Sequence, residues 1–160
     1  MKLKDFSRLV KKDKYQVFLM QSRVTFPYFF AVHTWFVIND RGRVERWEAG
    51  KFVDTTCIES FGNVYHGLFG NNPVTGMNIN PLRREPKYEG TLVGSIEGDK
   101  DSLERRMVDF IGHQSENYPH KNVYKLLGPN SNTYTQWVLD HFPESKLKLP
   151  RNAFGKNHAK

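Results

Sequence analysis

The residues best suited to chemistry lie in Leu127-Gly128-Pro129-Asn130-Ser131-Asn132-Thr133-Tyr134. Gly128-Pro129 is a turn signal, and Asn130 or Ser131 can cap the helix that follows. That helix would carry Tyr134, Trp137, Val138 and His141 on one face, at spacings of three and four. A small hydroxyl such as that of Ser131 would then face unpaired backbone N–H groups and the positive end of the helix dipole. Chemistry that builds negative charge on an oxygen is favoured in such a place. The plain alternative is an ordinary helix cap. Asn132 could join the cap, or its amide could bind a substrate carbonyl or sugar hydroxyl.

A second candidate group sits on the clearest strand of the chain, Ala31 to Asn39. His33, Trp35 and Val37 share one of its faces, and Thr34, Phe36 and Ile38 share the other. Both faces are largely apolar, as in a central strand. Asp40-Arg41-Gly42 makes a turn, and Val44 to Ala49 runs back as a hairpin partner. With a two-residue loop, Trp35 lies opposite Glu48 and His33 opposite Gly50, so His33 and Glu48 are diagonal neighbours on one face. A three-residue loop would put them on opposite faces. On spacing alone His33 reads more readily as a core histidine satisfied by a backbone carbonyl.

The remaining elements must hold these groups in place. Residues 2–11 have the helical spacing of Leu3, Phe6, Leu9 and Val10, and Tyr15 to Gln21 reads as a strand. Arg23 to Phe30, with Pro27 and several aromatics, is a turn or edge segment. Residues 51–89 are rich in glycine, asparagine and proline, which is loop chemistry or a misread strand pair. Gly90 to Gly98 is a short strand, and Asp99 or Asp101 can cap a helix to about Glu116. Asn122 to Leu127 reads as a further strand. The expected organisation is one domain over residues 1–160: a helical extension (1–14), a core (15–146) and an extended basic tail (147–160).

The composition narrows the setting. A chain of 160 residues with 38% hydrophobic and 14% aromatic content can bury a real core. A net charge of +7 favours anionic surroundings without choosing among them. Cys57 is the one cysteine, which excludes an intramolecular disulfide and a cysteine-built zinc site. The histidines show no metal-ligand spacing and no phosphate-binding glycine loop is present, so no metal and no cofactor are expected. Without a signal-like segment or a membrane-length apolar run, the expected setting is cytoplasmic.

Three stretches together resemble a known family: His33-Thr34-Trp35, Gly128-Pro129-Asn130-Ser131-Asn132-Thr133-Tyr134, and Leu149-Pro150-x-x-Ala153-Phe154-Gly155-Lys156. The family is an uncharacterised bacterial domain of unknown function with a His-Thr-Trp strand, a Gly-Pro-Asn-Ser-Asn-Thr-Phe block and a closing Leu-Pro-x-x-Ala-Ile-Gly-Lys. The resemblance spans roughly residues 31–157. That family is in turn similar to the circularly permuted papain-like fold of lecithin retinol acyltransferase-like proteins. There the histidine lies on an early strand, and the nucleophile opens a late helix in an Asn-Cys-x-x-Phe block. The resemblance implies an α+β fold with an antiparallel sheet and helices packed on one side. It matches His33 to the histidine, Asn130 to the asparagine, Ser131 to the cysteine and Tyr134 to the aromatic. Glu48 is the candidate to orient the imidazole.

The expectation is therefore a hydrolase or acyltransferase acting on amide or ester bonds, with Ser131, His33 and Glu48 as the catalytic set. Asn130, Asn132, Trp35 and Tyr134 would contact a small-molecule, peptide or lipid substrate. Serine in the cysteine position ionises far less readily than a thiol, so it needs a true general base. The alternative is an inactive ligand-binding module of the same fold. An anion-binding role, with nucleic acid as the partner, ranks last, because the cations are scattered along the chain.

Overall fold

Alternation of buried and polar residues builds the sheet. The computed structural model describes residues 6–24, 28–49, 64–66, 83–85, 88–121 and 123–159. Its main sheet contains Tyr15–Arg23 (β1), Val32–Asp40 (β2), Arg43–Ala49 (β3), Val64–His66 (β4) and Thr91–Gly98 (β7), in the order β4-β3-β2-β1-β7. Every neighbouring pair is antiparallel. Arg83–Glu85 (β5) and Tyr88–Glu89 (β6) pair separately. The segment 51–89 thus contributes short strands, and Cys57 lies outside the described residues.

The β2–β3 hairpin uses the two-residue loop. Phe36 pairs with Trp47 and Asp40 with Arg43, leaving Arg41 and Gly42 at the turn. Both have positive φ, 49° and 103°, as a tight hairpin turn with matching twist demands. Extending this register by one residue sets Trp35 opposite Glu48.

Two α-helices, Leu103–Gln114 (α1) and Ser131–His141 (α2), cover one face of the sheet. They bury Met107, Ile111, Tyr134 and Val138 against Leu19 and Phe36. The other face carries a smaller cluster of Phe6, Phe18, Met20, Trp35, Val37 and Val44. Phe6 is fully buried there and closes a helical turn of the N-terminal extension, whose residues 1–5 lie outside the described ones. An α+β fold with an antiparallel sheet and helices on one side is what the chain adopts.

Two expectations need correction. Ser102, rather than Asp99 or Asp101, caps α1, its hydroxyl accepting from the Arg105 N–H at 3.2 Å. Residues 123–127 form no strand, because their backbone closes turns instead. Val123 N–H bonds to the His120 carbonyl, Lys125 N–H to that of Pro129 and Gly128 N–H to that of Lys125. The apolar side chains of that stretch are left exposed.

What ties α2 to the sheet is a side chain acting as a strand. The β2–β3 ladder ends at Phe36–Trp47, so the β2 backbone at Val32 and Thr34 lacks a strand partner on that edge. The Asn132 carboxamide takes the place. Its Nδ2 donates to the Val32 carbonyl at 2.9 Å, and its Oδ1 accepts from the Thr34 N–H at 3.1 Å and the Thr34 hydroxyl at 2.8 Å. The Val32 N–H continues the edge by donating to the Asn152 carbonyl of the tail. Asn132 Nδ2 also donates to the Phe154 carbonyl at 2.8 Å, so the amide joins strand, helix and tail. Removing it leaves two buried backbone groups of β2 without partners, each worth roughly 1–3 kcal/mol. We expect Asn132→Ala to cost about 3 kcal/mol in urea denaturation, whereas neighbouring Ser131→Ala should stay within about 0.5 kcal/mol. Equal losses at the two positions would contradict this division.

Candidate functional site

Asn130 starts α2 through a reciprocal cap. Its Oδ1 accepts from the N–H groups of Asn132 and Thr133 at 2.9 and 3.3 Å, and the Thr133 hydroxyl accepts from the Asn130 N–H at 3.0 Å. Its Nδ2 donates to the carbonyls of Leu126 and Phe154. The tail presses directly on this cap: at Gly155, with φ of 92°, an added Cβ would lie 2.5 Å from the Asn130 amide nitrogen. Both asparagines expected to meet substrate thus spend their amide donors and acceptors within the chain.

Ser131 is different. Among the described residues its hydroxyl has no hydrogen-bond partner, His33 included. Its backbone N–H is likewise left over: those of Asn132 and Thr133 go to the Asn130 carboxamide, and that of Tyr134 to the Asn130 carbonyl. One hydroxyl and one N–H at the positive end of a helix therefore remain for a ligand.

His33 leaves β2 on the face away from the helices, beside Trp35 at a ring-centroid separation of 5.7 Å. Glu48 meets it there, Oε2 lying 2.5 Å from Nε2, and Arg46 Nη2 donates to the same oxygen at 2.8 Å. The Arg46 guanidinium also lies over the Trp35 ring at 4.3 Å. All four side chains are buried. Burial pushes the Glu48 carboxyl up, but the Arg46 charge and the hydrogen bond from His33 outweigh it. Together they hold Glu48 well below the ordinary carboxylate range.

His33 and Ser131 nonetheless border the same cavity, of about 260 Å³. They can do so because α2 begins beside the edge of β2, where Asn132 is bonded, and not above its face. Asn130 and Asn132 also contribute to the lining; the rest of the wall is apolar, with Tyr28, Phe30, Leu126, Leu127 and Phe154 prominent. Trp35 and Tyr134 do not border it. Trp35 lies under Arg46, and Tyr134 is fully buried with its hydroxyl 2.7 Å from that of Ser115. Burial raises the Tyr134 phenol far above its usual range, consistent with a structural group.

Arg46 is the member of this arrangement that the sequence reading missed. Its signal was present, since it stands two residues before Glu48 and so shares its strand face. The apolar wall was hidden for a different reason: Phe30, Leu126 and Phe154 come from three separate connections. Among the described residues there is no cluster of histidine, cysteine, aspartate and glutamate that could hold a metal.

A buried imidazole braced by a carboxylate and a hydroxyl at a helix start thus border one largely apolar cavity of an α+β domain. The chain belongs to the family described as protein of unknown function DUF3750, whose model matches residues 14–158. No curated protein and no solved structure gives a significant match.

The Glu48 environment sets a pH test. Its carboxyl titrates lower in the folded protein than at its ordinary value of 4.5, so its stabilisation is complete above that pH. It is lost as pH falls from there towards the folded value. Glu48→Gln should cost about 3–5 kcal/mol near neutrality, as for breaking a buried charge pair. In denaturation curves the gap to wild type should narrow below pH 4.5. A gap that is constant or widens on acidification would contradict the assignment.

Proposed function

We propose that this domain cleaves or transfers an acyl group on an ester or amide, with Ser131 as nucleophile, His33 as general base and Glu48 as the group that orients His33. The observation that supports it most is that Ser131, with hydroxyl and N–H uncommitted, borders one apolar cavity together with a carboxylate-braced histidine. The order of these groups, histidine strand early and nucleophile helix late, is also that of a circularly permuted papain-like fold. We propose that architecture for this chain. A cytoplasmic setting belongs to the same reading.

In this reading the Nε2 proton is directed at Glu48 and Nδ1 acts as the base once substrate is bound. Arg46 pairs with the same Glu48 oxygen and helps fix the carboxylate that orients the ring. In the first step Nδ1 takes the Ser131 proton while Oγ bonds to the substrate carbonyl carbon. The Ser131 N–H holds the developing oxyanion. Collapse breaks the bond to the leaving alcohol or amine, which takes the proton back from His33. Water or an acceptor alcohol then repeats the sequence on the acyl-enzyme, releasing Ser131. The apolar walls favour an aliphatic acyl group over a peptide or glycan.

One observation favours a second reading, a ligand-binding module of the same fold: Ser131 and His33 are not hydrogen-bonded to each other. Catalytic hydrogen bonds commonly tighten only when substrate binds. An alkyl fluorophosphonate separates the two readings. Acyl-transfer chemistry predicts a covalent adduct on Ser131, located by mass spectrometry and absent in Ser131→Ala. Labelling should slow roughly 10²–10⁴-fold in His33→Gln. Reversible uptake of the alkyl chain with no adduct would leave the binding module.

A further inference from the structure

The walls of the cavity continue outward into an apolar rim. Phe29 is 62% exposed, Phe30 55%, Leu126 53%, Leu127 70% and Phe154 42%. Most large apolar side chains left in water by the described part of the chain are in the connections that carry this rim. Contiguous apolar surface of this kind marks an interaction site, whereas isolated exposed residues do not. The rim is also a built surface. Phe30 packs edge-on against Phe29 at 6.1 Å and Phe154 at 5.8 Å, and the Asn152 amide donates to the Phe30 carbonyl at 3.0 Å.

The stretches that carry the rim hold charge of one sign. The rim residues come from residues 23–33, 118–139 and 149–159, and none of these stretches contains an aspartate or glutamate. Their exposed charged residues are cations: Arg23, Lys121, Lys125 and Arg151. Aromatic and aliphatic side chains on stretches whose exposed charges are cations complement a surface that is anionic outside and apolar within. A lipid leaflet has that layered chemistry. A protein partner would need acidic and apolar groups interleaved to match, and a nucleic acid would leave Leu126 and Leu127 unsatisfied.

We propose that this rim docks the protein onto an anionic lipid membrane, with Phe29 and Leu127 entering the headgroup region and the cations meeting lipid phosphates. No helix among the described residues is long and apolar enough to cross a membrane; the attachment proposed is by this surface alone. Phe30, Leu126, Leu127 and Phe154 belong both to this rim and to the wall of the cavity that Ser131 borders, so docking would bring that wall against the bilayer. The docking stands independently of the acyl-transfer reading.

Sedimentation of the full chain with vesicles tests it, using phosphatidylcholine alone and phosphatidylcholine mixed with phosphatidylglycerol. Wild type should pellet with the mixed vesicles and poorly with the neutral ones, and salt should weaken the binding. Phe29→Ser with Leu127→Ser should abolish pelleting. Lys125→Glu should weaken it by at least about fivefold, the value of one cation near an anionic surface. Circular dichroism and the melting temperature establish that each variant is folded, which exposed positions should permit. Three results would each overturn the proposal. They are no binding to either vesicle, anionic binding that the serine variants leave intact, and a wild-type dimer in solution that the serine variants dissociate. Because the readout is sedimentation, Ser131→Ala should bind as wild type does. Failure of docking therefore says nothing about the nucleophile, and failure of the nucleophile says nothing about docking.

Discussion

Everything distinctive about this site follows from one amide. Where β3 turns away from β2, the backbone of Val32 and Thr34 would be left without partners inside the protein, at a cost comparable to lost hydrogen bonds. The Asn132 carboxamide satisfies that edge with the donor and acceptor pattern of a strand residue. Because it is the second residue of α2, the bond fixes the start of the helix beside the strand. Ser131 is thereby brought to the cavity that His33 also borders. The tail is fastened to the same point, through the Phe154 carbonyl shared by Asn130 and Asn132 and the Gly155 carbonyl held by Thr133.

The charged cluster on the opposite face obeys a different constraint. Glu48, Arg46 and His33 are buried, and burying charge is unfavourable unless it is paired and hydrogen-bonded. Apolar residues in their place would often serve stability equally well. What the cluster adds is a fixed orientation for one imidazole, with Trp35 packed beneath as a rigid floor. Such a constraint is useful to a site whose ring must present one nitrogen in one direction.

The sequence was informative where local rules decide. Arg41-Gly42 offered a two-residue turn as one of two loop lengths, and that turn gives the register that puts His33 within reach of Glu48. The Asn130 cap was legible for the same reason. The illegible parts depend on tertiary partners. Asn132 looks like any residue in a helix's first turn, and only a departing strand gives it an edge to close. Val123 to Leu127 has the apolar content of a strand, but its backbone bonds within turns and its side chains form a cavity wall and rim. Helix capping by Ser102 in place of its acidic neighbours is a choice among three nearby capping types that sequence rules do not separate.

A helix start and a histidine strand converge on one cavity. The most direct measurement is a crystal structure of the protein after reaction with an alkyl phosphonate. The expected result is phosphorus bonded to Ser131 Oγ, a phosphonyl oxygen at the Ser131 N–H, the alkyl chain among Phe30, Leu126 and Phe154, and His33 Nδ1 within about 3 Å of the adduct oxygens. An adduct on another residue, or an imidazole still confined to the far side of the sheet with Ser131 modified, would contradict it.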